Sequence, residues 1–308
     1  MADSKFLNWK ERCSQGGKLM TNLVTQNDIK KIDDEIKVYL LEKANGINAN
    51  GNKVKWTDNK QIALDKLLAK KNNPDELPTG AKSHLDEVFR DVFWGRKRDL
   101  QNKYLTKGLT EEESGLGLLS LIDDKFYIKN KDKFENDFII GTPDSVGDIV
   151  IDIKCNWDLD SFDKAEMTTL YEWQIKFYLW LTNKTKGQLV YCLVNNPAHQ
   201  IQEAKKTLWF KSGCPDDDNE KWVEARKQLE KNMVFDIPLF KEEYPGYDFE
   251  NEILDFTIPA IYRVKKFEVE LFPDDIVNIK SRVKLAREYL MEKEKRVLEL
   301  ININQKTQ

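Results

Sequence analysis

Histidine is almost missing from this sequence and cysteine is thin: His84 and His199, with Cys13, Cys155, Cys192 and Cys214, are the whole supply in 308 residues. The two histidines lie far apart, which disfavours a histidine-built metal site or a Ser-His-Asp triad. No C-x-x-C pair occurs, so neither a zinc ribbon nor a disulfide framework is indicated, and a reducing cytosol is the expected setting. Glycine and proline are too sparse for a fibrous or low-complexity chain. No apolar run approaches the roughly 20 residues that span a bilayer, and the amino terminus lacks a signal-peptide core. A cytoplasmic protein with no membrane partner is therefore expected. A G-x-x-x-x-G-K-[ST] loop is missing too, so no ATP-binding motor of that kind is built into the sequence.

A net charge of -4 argues against coating nucleic acid by bulk electrostatics but leaves room for a local basic channel. One candidate is Arg96, Lys97, Arg98, Lys103 and Lys107, a stretch in which Asp99 is the only acid. Acids gather elsewhere, at Asp216 to Asp218 and from Glu242 to Asp255. The length suits one elaborated domain or two modest ones, and one core with helical additions at both ends is expected. Residues 1–106 would be a helical amino-terminal addition, 107–195 the core, and 196–308 a helical and strand addition.

Ile29, Ile32, Ile36 and Leu40 recur at helical spacing after a Thr25-x-x-Asp28 capping pattern, which predicts a helix over 28–41. A loop at 45–52, a helix near 58–71, a Pro-containing break and a third helix carrying Leu85, Val88, Phe89, Val92 and Phe93 follow. The stretch 107–122 predicts a helix from about Thr110 with Glu111, Glu112 and Glu113 in its first turn. Glycine at 115, inside that helix, costs about 1 kcal/mol against alanine. Close approach of another backbone would account for it. Strands are predicted at 125–129, 137–142 and 148–155 as a meander, then a helix over 164–183 and a strand at 187–195. The helix is long enough to cross between parallel strands, giving the order αβββαβ. Trp173, Phe177 and Trp180 on it read as core. A helix at 219–232, a strand near 262–270 and a helix from 274 to 298 complete the pattern.

Asp-Ile-Lys occurs twice, at 28–30 and at 152–154, and only the setting distinguishes the two copies. At 28–30 it begins an exposed helix, where an acid is favoured in any case. At 152–154 it lies in a strand of apolar residues, so Asp152 and Lys154 project to one face and Ile151 and Ile153 to the other. A carboxylate and an ammonium inside a sheet are costly unless paired or bound to a metal. A turn through Gly147 brings Asp144 back beside Asp152, and two converging acids call for a cation between them, for which Mg²⁺ suits oxygen donors.

Pro143-Asp144 followed by Asp152-Ile153-Lys154 on the next strand, within αβββαβ order, resembles the PD-(D/E)xK nuclease superfamily. Gly108 with Glu112 four positions on resembles the first motif of its RecB-like and lambda-type (YqaJ-like) phage exonuclease branch. Gln174-x-x-x-Tyr178, preceded by Tyr171, is similar to the Q-h-x-x-Y helix of that branch. The resemblance implies an α/β fold of restriction-endonuclease type, with a mixed central sheet flanked by helices. Asp144, Asp152 and the Ile153 carbonyl would hold Mg²⁺ or Mn²⁺, with Glu112 completing the set. Lys154 would orient or deprotonate the attacking water or neutralise transition-state charge. Gln174 and Tyr178 would position DNA or brace the site, and Tyr171 could do either. His84, Arg90, Arg96 and Arg98 are candidates for a 5′ phosphate or the DNA backbone. Helical phase favours Glu112 over Glu111 and Glu113.

Relatives with an iron–sulfur cluster use a cysteine cluster after the core, which Cys192 and Cys214 do not supply. The implied activity is a Mg²⁺-dependent DNA exonuclease of recombination or repair, working in a bacterial or phage-infected cell. A single-strand annealing or binding protein and a homo-oligomer are the partners to expect beside DNA. An endonuclease of the same superfamily and a catalytically silent DNA-binding module are the competing readings.

Overall fold

The computed structural model describes residues 4–21, 26–48, 50–72, 76–96, 111–250 and 256–306. Thr25, Lys97, Arg98, Asp99, Lys103, Lys107, Gly108 and Thr110 lie outside them. The chain divides into two compact units, one of Met1–Leu7, Lys18–Gly95 and Lys280–Gln308, the other of Asn8–Gly17 and Arg96–Ile279.

The first unit is helical. Helices α1 (Gln26–Asn45) and α2 (Asp58–Asn72) form a hairpin around Ile32, Ile36 and Leu64, with Tyr39 and Trp56 packed on them. Of the four apolar positions that predicted α1, Ile32 and Ile36 form its buried stripe, Ile29 is half-buried and Leu40 is exposed. Helix α3 (Thr79–Trp94) buries Leu85 and Phe89, and Phe6 stacks on Phe89 at 5.4 Å. It ends where Gly95 takes φ +64°, a left-handed conformation that glycine adopts without steric cost. Asp86 of α3 bonds to Tyr289 and Lys293 of the long C-terminal helix Pro273–Lys306.

The second unit is mixed α/β. In chain order it contains β1 (Glu11–Arg12), α4 (Glu112–Asp123), β2 (Phe134–Glu135), β3 (Ile139–Gly141), β4 (Ser145–Val146) and β5 (Val150–Cys155). There follow α5 (Leu159–Asp163), α6 (Thr169–Thr182), β6 (Lys186–Cys192), α7 (Ala198–Lys211), α8 (Glu220–Lys231), α9 (Ile237–Glu243) and β7 (Val264–Glu270). Two mixed sheets result, β1-β3-β2 and β4-β5-β6-β7. Strand β5 runs parallel to β6, with Asp152 opposite Leu189 and Lys154 opposite Tyr191, while β4 and β7 run antiparallel on either side. The crossover helix between β5 and β6 is therefore the one the sequence predicted.

Each face of β5 is covered by a different helix. Ile151 and Ile153 pack with Leu116, Leu119 and Val190 beneath α4. A side chain at Gly115 would put its Cβ 2.7 Å from Ile153 Cγ2. The approach that glycine permits is thus to side chains of the sheet, not to another backbone. Helix α6 lies on the opposite face, the one carrying Asp152, and Ile175 and Leu179 close over Gly187. Trp173 and Phe177 are buried as expected for core, and Trp180 is half-buried.

Three expectations change. The stretch 125–129 has strand-like alternation but pairs with no strand among the described residues: Phe126 and Ile128 are exposed, and the Tyr127 hydroxyl donates to Asp123. The strand forms later, at β2. The meander is interrupted, because β3 belongs to one sheet and β4 and β5 to the other. The helix expected from 164 begins at Thr169, since Asp158 caps the separate short α5 and the Thr168 hydroxyl accepts from Tyr171 N–H.

Candidate active site

The site grows from β5. Alternation along the strand points Asp152 and Lys154 to the α6 side, and their ionic ends meet at 2.7 Å. Asp152 is 2% exposed, and its other oxygen accepts the side-chain amide of Gln174 at 2.9 Å. Gln174 also reaches the Tyr178 hydroxyl at 3.5 Å. Tyr178 itself packs against Gly141 of β3, where a Cβ would stand 2.8 Å from its ring. Both α6 residues are buried.

Asp144 lies just before β4, and its Oδ2 accepts the Ile153 N–H at 2.7 Å. In an extended strand the N–H and C=O of one residue point to the same edge, so the Ile153 carbonyl also projects toward Asp144. Of the three glutamates at the start of α4, Glu112 is the one that joins this cluster. It does so through Lys129, which donates to Glu112 and, at 3.2 Å, to Asp144 Oδ1. Glu111 accepts from the Ser114 hydroxyl instead, and Glu113 is exposed.

Charge and burial oppose one another here. Burial pushes the Asp152 carboxyl above its usual range, helped by Asp144 and resisted by the Lys154 ammonium. Burial would lower Lys154, yet the carboxylate of Asp152 outweighs it and holds the ammonium charged. Glu112 is raised by burial and by Asp144, against the pull of Lys129. The ring of Tyr171 lies 5.1 Å from Lys154 Nζ, a cation–π contact, and Tyr171 meets Tyr191 edge-on at 6.3 Å.

Glu112, Asp144, Asp152 and the Ile153 carbonyl offer oxygen donors only, which fits a hard cation such as Mg²⁺ or Mn²⁺. Among the described residues, no three His, Cys, Asp or Glu side chains are grouped tightly enough to enclose one ion. Lys129 lies on two of the donors instead.

Arg90 and Arg96 are exposed, His84 is buried in α3, and Arg98 lies outside the described residues. The first Asp-Ile-Lys copy begins α1, with Lys30 exposed. Lys129 is the site residue that the sequence did not mark. It sits in a stretch that reads as an ordinary strand, and no motif spacing distinguishes it.

No family model and no curated protein sequence matches the chain. Solved structures do. A phage-related exonuclease from Haemophilus somnus 129PT superposes with a TM-score of 0.58 at 19% identity, covering 94% of this chain and 97% of that one. An alkaline exonuclease from Laribacter hongkongensis, LHK-Exo, gives 0.43 at 12% identity, over 75% of this chain and 88% of its own. LHK-Exo in complex with dAMP gives 0.46 at 11% identity, over 97% and 95%. No described helix is long and apolar enough to cross a membrane. In fold, the chain is similar over nearly its whole length to the phage-related exonuclease, with the mixed α/β architecture that the sequence pattern predicted.

Proposed function

We propose that this chain is a divalent-metal-dependent DNA exonuclease, a phosphodiester hydrolase that resects duplex ends in recombination or repair. The observation that carries this reading is the meeting of Asp144, Asp152, Lys154 and Glu112 around one strand, in a fold shared with a phage-related exonuclease. Glu112, Asp144, Asp152 and the Ile153 carbonyl would hold Mg²⁺ or Mn²⁺. A bound ion of this kind supplies a hydroxide nucleophile at neutral pH and stabilises the leaving 3′ oxygen.

The chain's own residues prepare the site. The Ile153 N–H and the Gln174 amide fix the orientations of Asp144 and Asp152 before substrate arrives, so less reorganisation is left for the reaction itself. Lys154, tied to Asp152 and in cation–π contact with Tyr171, presents a fixed positive charge where negative charge grows on the phosphate. Of the roles the resemblance allows for Lys154, this pairing supports charge neutralisation over proton abstraction.

The test is digestion of an end-labelled linear duplex beside a covalently closed circle of the same sequence, with Mg²⁺. Loss of the linear DNA alone is expected, with EDTA stopping it. Asp152→Asn and Lys154→Ala should slow it by on the order of 10²- to 10³-fold or more. Cutting of the closed circle would move the assignment to an endonuclease. Failure to cut any DNA with Mg²⁺ or Mn²⁺ would overturn the nuclease reading.

A further inference from the structure

Lys129 is held in place by its neighbour. The Asn130 N–H donates to the Asp144 carbonyl at 2.7 Å, and the Asn130 side-chain amide donates to the Pro143 carbonyl at 3.0 Å. These bonds fasten the lysine's segment to the turn that carries Asp144, so the ammonium is delivered to Glu112 and Asp144 by a built backbone connection. The Lys129 side chain is 22% exposed, close to the 23% of Glu112 and above the 13% of Asp144. Three carboxylates thus face two ammonium groups, and the partition is clean: Lys154 takes Asp152, and Lys129 takes Glu112 and Asp144. Two half-buried acids drawn together repel unless a cation lies between them.

We propose that Lys129 is the resident counter-cation of the Glu112–Asp144 pair, offsetting the repulsion between the two acids and competing with an incoming divalent ion for the same oxygens. The inference rests on the nuclease reading of this site and adds to it a positioning residue that sets metal affinity. A divalent ion that takes oxygens of both acids displaces the ammonium, which Asn130 keeps within reach for the ion's departure. Lys129 therefore lowers the site's affinity for metal while sparing the empty pair its repulsion.

Calorimetric titration of Mn²⁺ into the full-length, EDTA-treated protein, with thermal unfolding in EDTA and in Mn²⁺, tests this. Lys129→Met should bind Mn²⁺ about fivefold or more tightly than wild type, the size expected for a partly exposed ion pair removed from competition. Its Tm in EDTA should fall, and Mn²⁺ should raise it by more than it raises wild type. Lys129→Arg, which keeps the charge, should hold its Tm in EDTA and bind Mn²⁺ no more tightly than wild type. Equal Mn²⁺ affinity in wild type and Lys129→Met, or an unchanged Tm in EDTA, overturns the proposal. So does a Lys129→Met protein that stays unfolded even in Mn²⁺, because a divalent ion must be able to replace the ammonium. If wild type binds no Mn²⁺, this proposal and the metal-dependent reading fall together. If wild type binds it and the variant does not differ, only this proposal falls.

Discussion

Gln174 on α6 donates its side-chain amide to Asp152 on β5 at 2.9 Å, and the two side chains are 6% and 2% exposed. With Lys154 on the other oxygen at 2.7 Å, Asp152 has both oxygens engaged inside the protein. A buried carboxylate left without such donors is costly, so this arrangement constrains the strand and helix to one another as well as aiming the acid.

Gln174→Leu removes the donor and leaves one carboxylate oxygen unmet. Stability should fall by about 1–3 kcal/mol, read as a lower midpoint in urea. Digestion should slow with little change in DNA affinity, because the residue is buried beneath the acids. An unchanged midpoint would remove the bond from the account. Loss of affinity with turnover preserved would return Gln174 to the DNA-contacting role.

The central pattern was legible in the sequence because it rests on short periods. Two-residue alternation put Asp152 and Lys154 on one face, and the glutamate at the matching helical phase is the one that reaches the cluster. Pairing partners were less legible. The stretch Phe126-Tyr127-Ile128 alternates as well as β5 does, yet among the described residues no strand pairs with it, and nothing local encodes that. Strand β1 is two residues long and pairs in parallel with β3 across more than a hundred residues of chain, so it carries no periodic signal. Helix α7 went unassigned although Ala198, Ile201, Ala204 and Leu208 recur at helical spacing, and the first three pack in a core cluster. Lys129 escaped because its partners, Glu112 and Asp144, lie 17 positions before it and 15 after it.

Gly115 and Gly117 stand on the same helix and should respond in opposite senses to alanine. At Gly115 the new Cβ would meet Ile153 Cγ2 at 2.7 Å and Cys155 Sγ at 3.2 Å, both side chains of a packed sheet. Helix α4 must shift, carrying Glu112 with it. Gly115→Ala should therefore cost about 1–3 kcal/mol despite the better helix propensity, and slow digestion. Among the described residues nothing lies within 4 Å of a Cβ at Gly117, so Gly117→Ala should stabilise by about 0.5–1 kcal/mol with activity kept. Paired urea melts decide it, and Gly115→Ala as stable as Gly117→Ala would contradict the close packing of α4 on β5.

Asp86 offers a pH test within the helical unit. It accepts from the Tyr289 hydroxyl at 2.9 Å and from Lys293. Burial works against its charge, but these donors and the Lys293 charge outweigh burial and hold the carboxyl below its usual range. A carboxyl lowered by folding contributes stability above its unfolded value, near 3.9, and loses that contribution as pH falls through the lower folded value. The Asp86 side chain is 37% exposed, so solvent screening should keep the contribution to about 1 kcal/mol or less at pH 7. Asp86→Asn keeps the shape and removes the charge. The stability gap between wild type and Asp86→Asn should be largest at neutral pH, shrink as pH falls below about 4, and narrow in high salt. Urea melts across that range provide the measurement. A gap that holds constant or widens toward low pH would mean that the pairing of Asp86 with Lys293 contributes no charge-dependent stability, and that the Tyr289 hydroxyl and packing alone join α3 to the C-terminal helix.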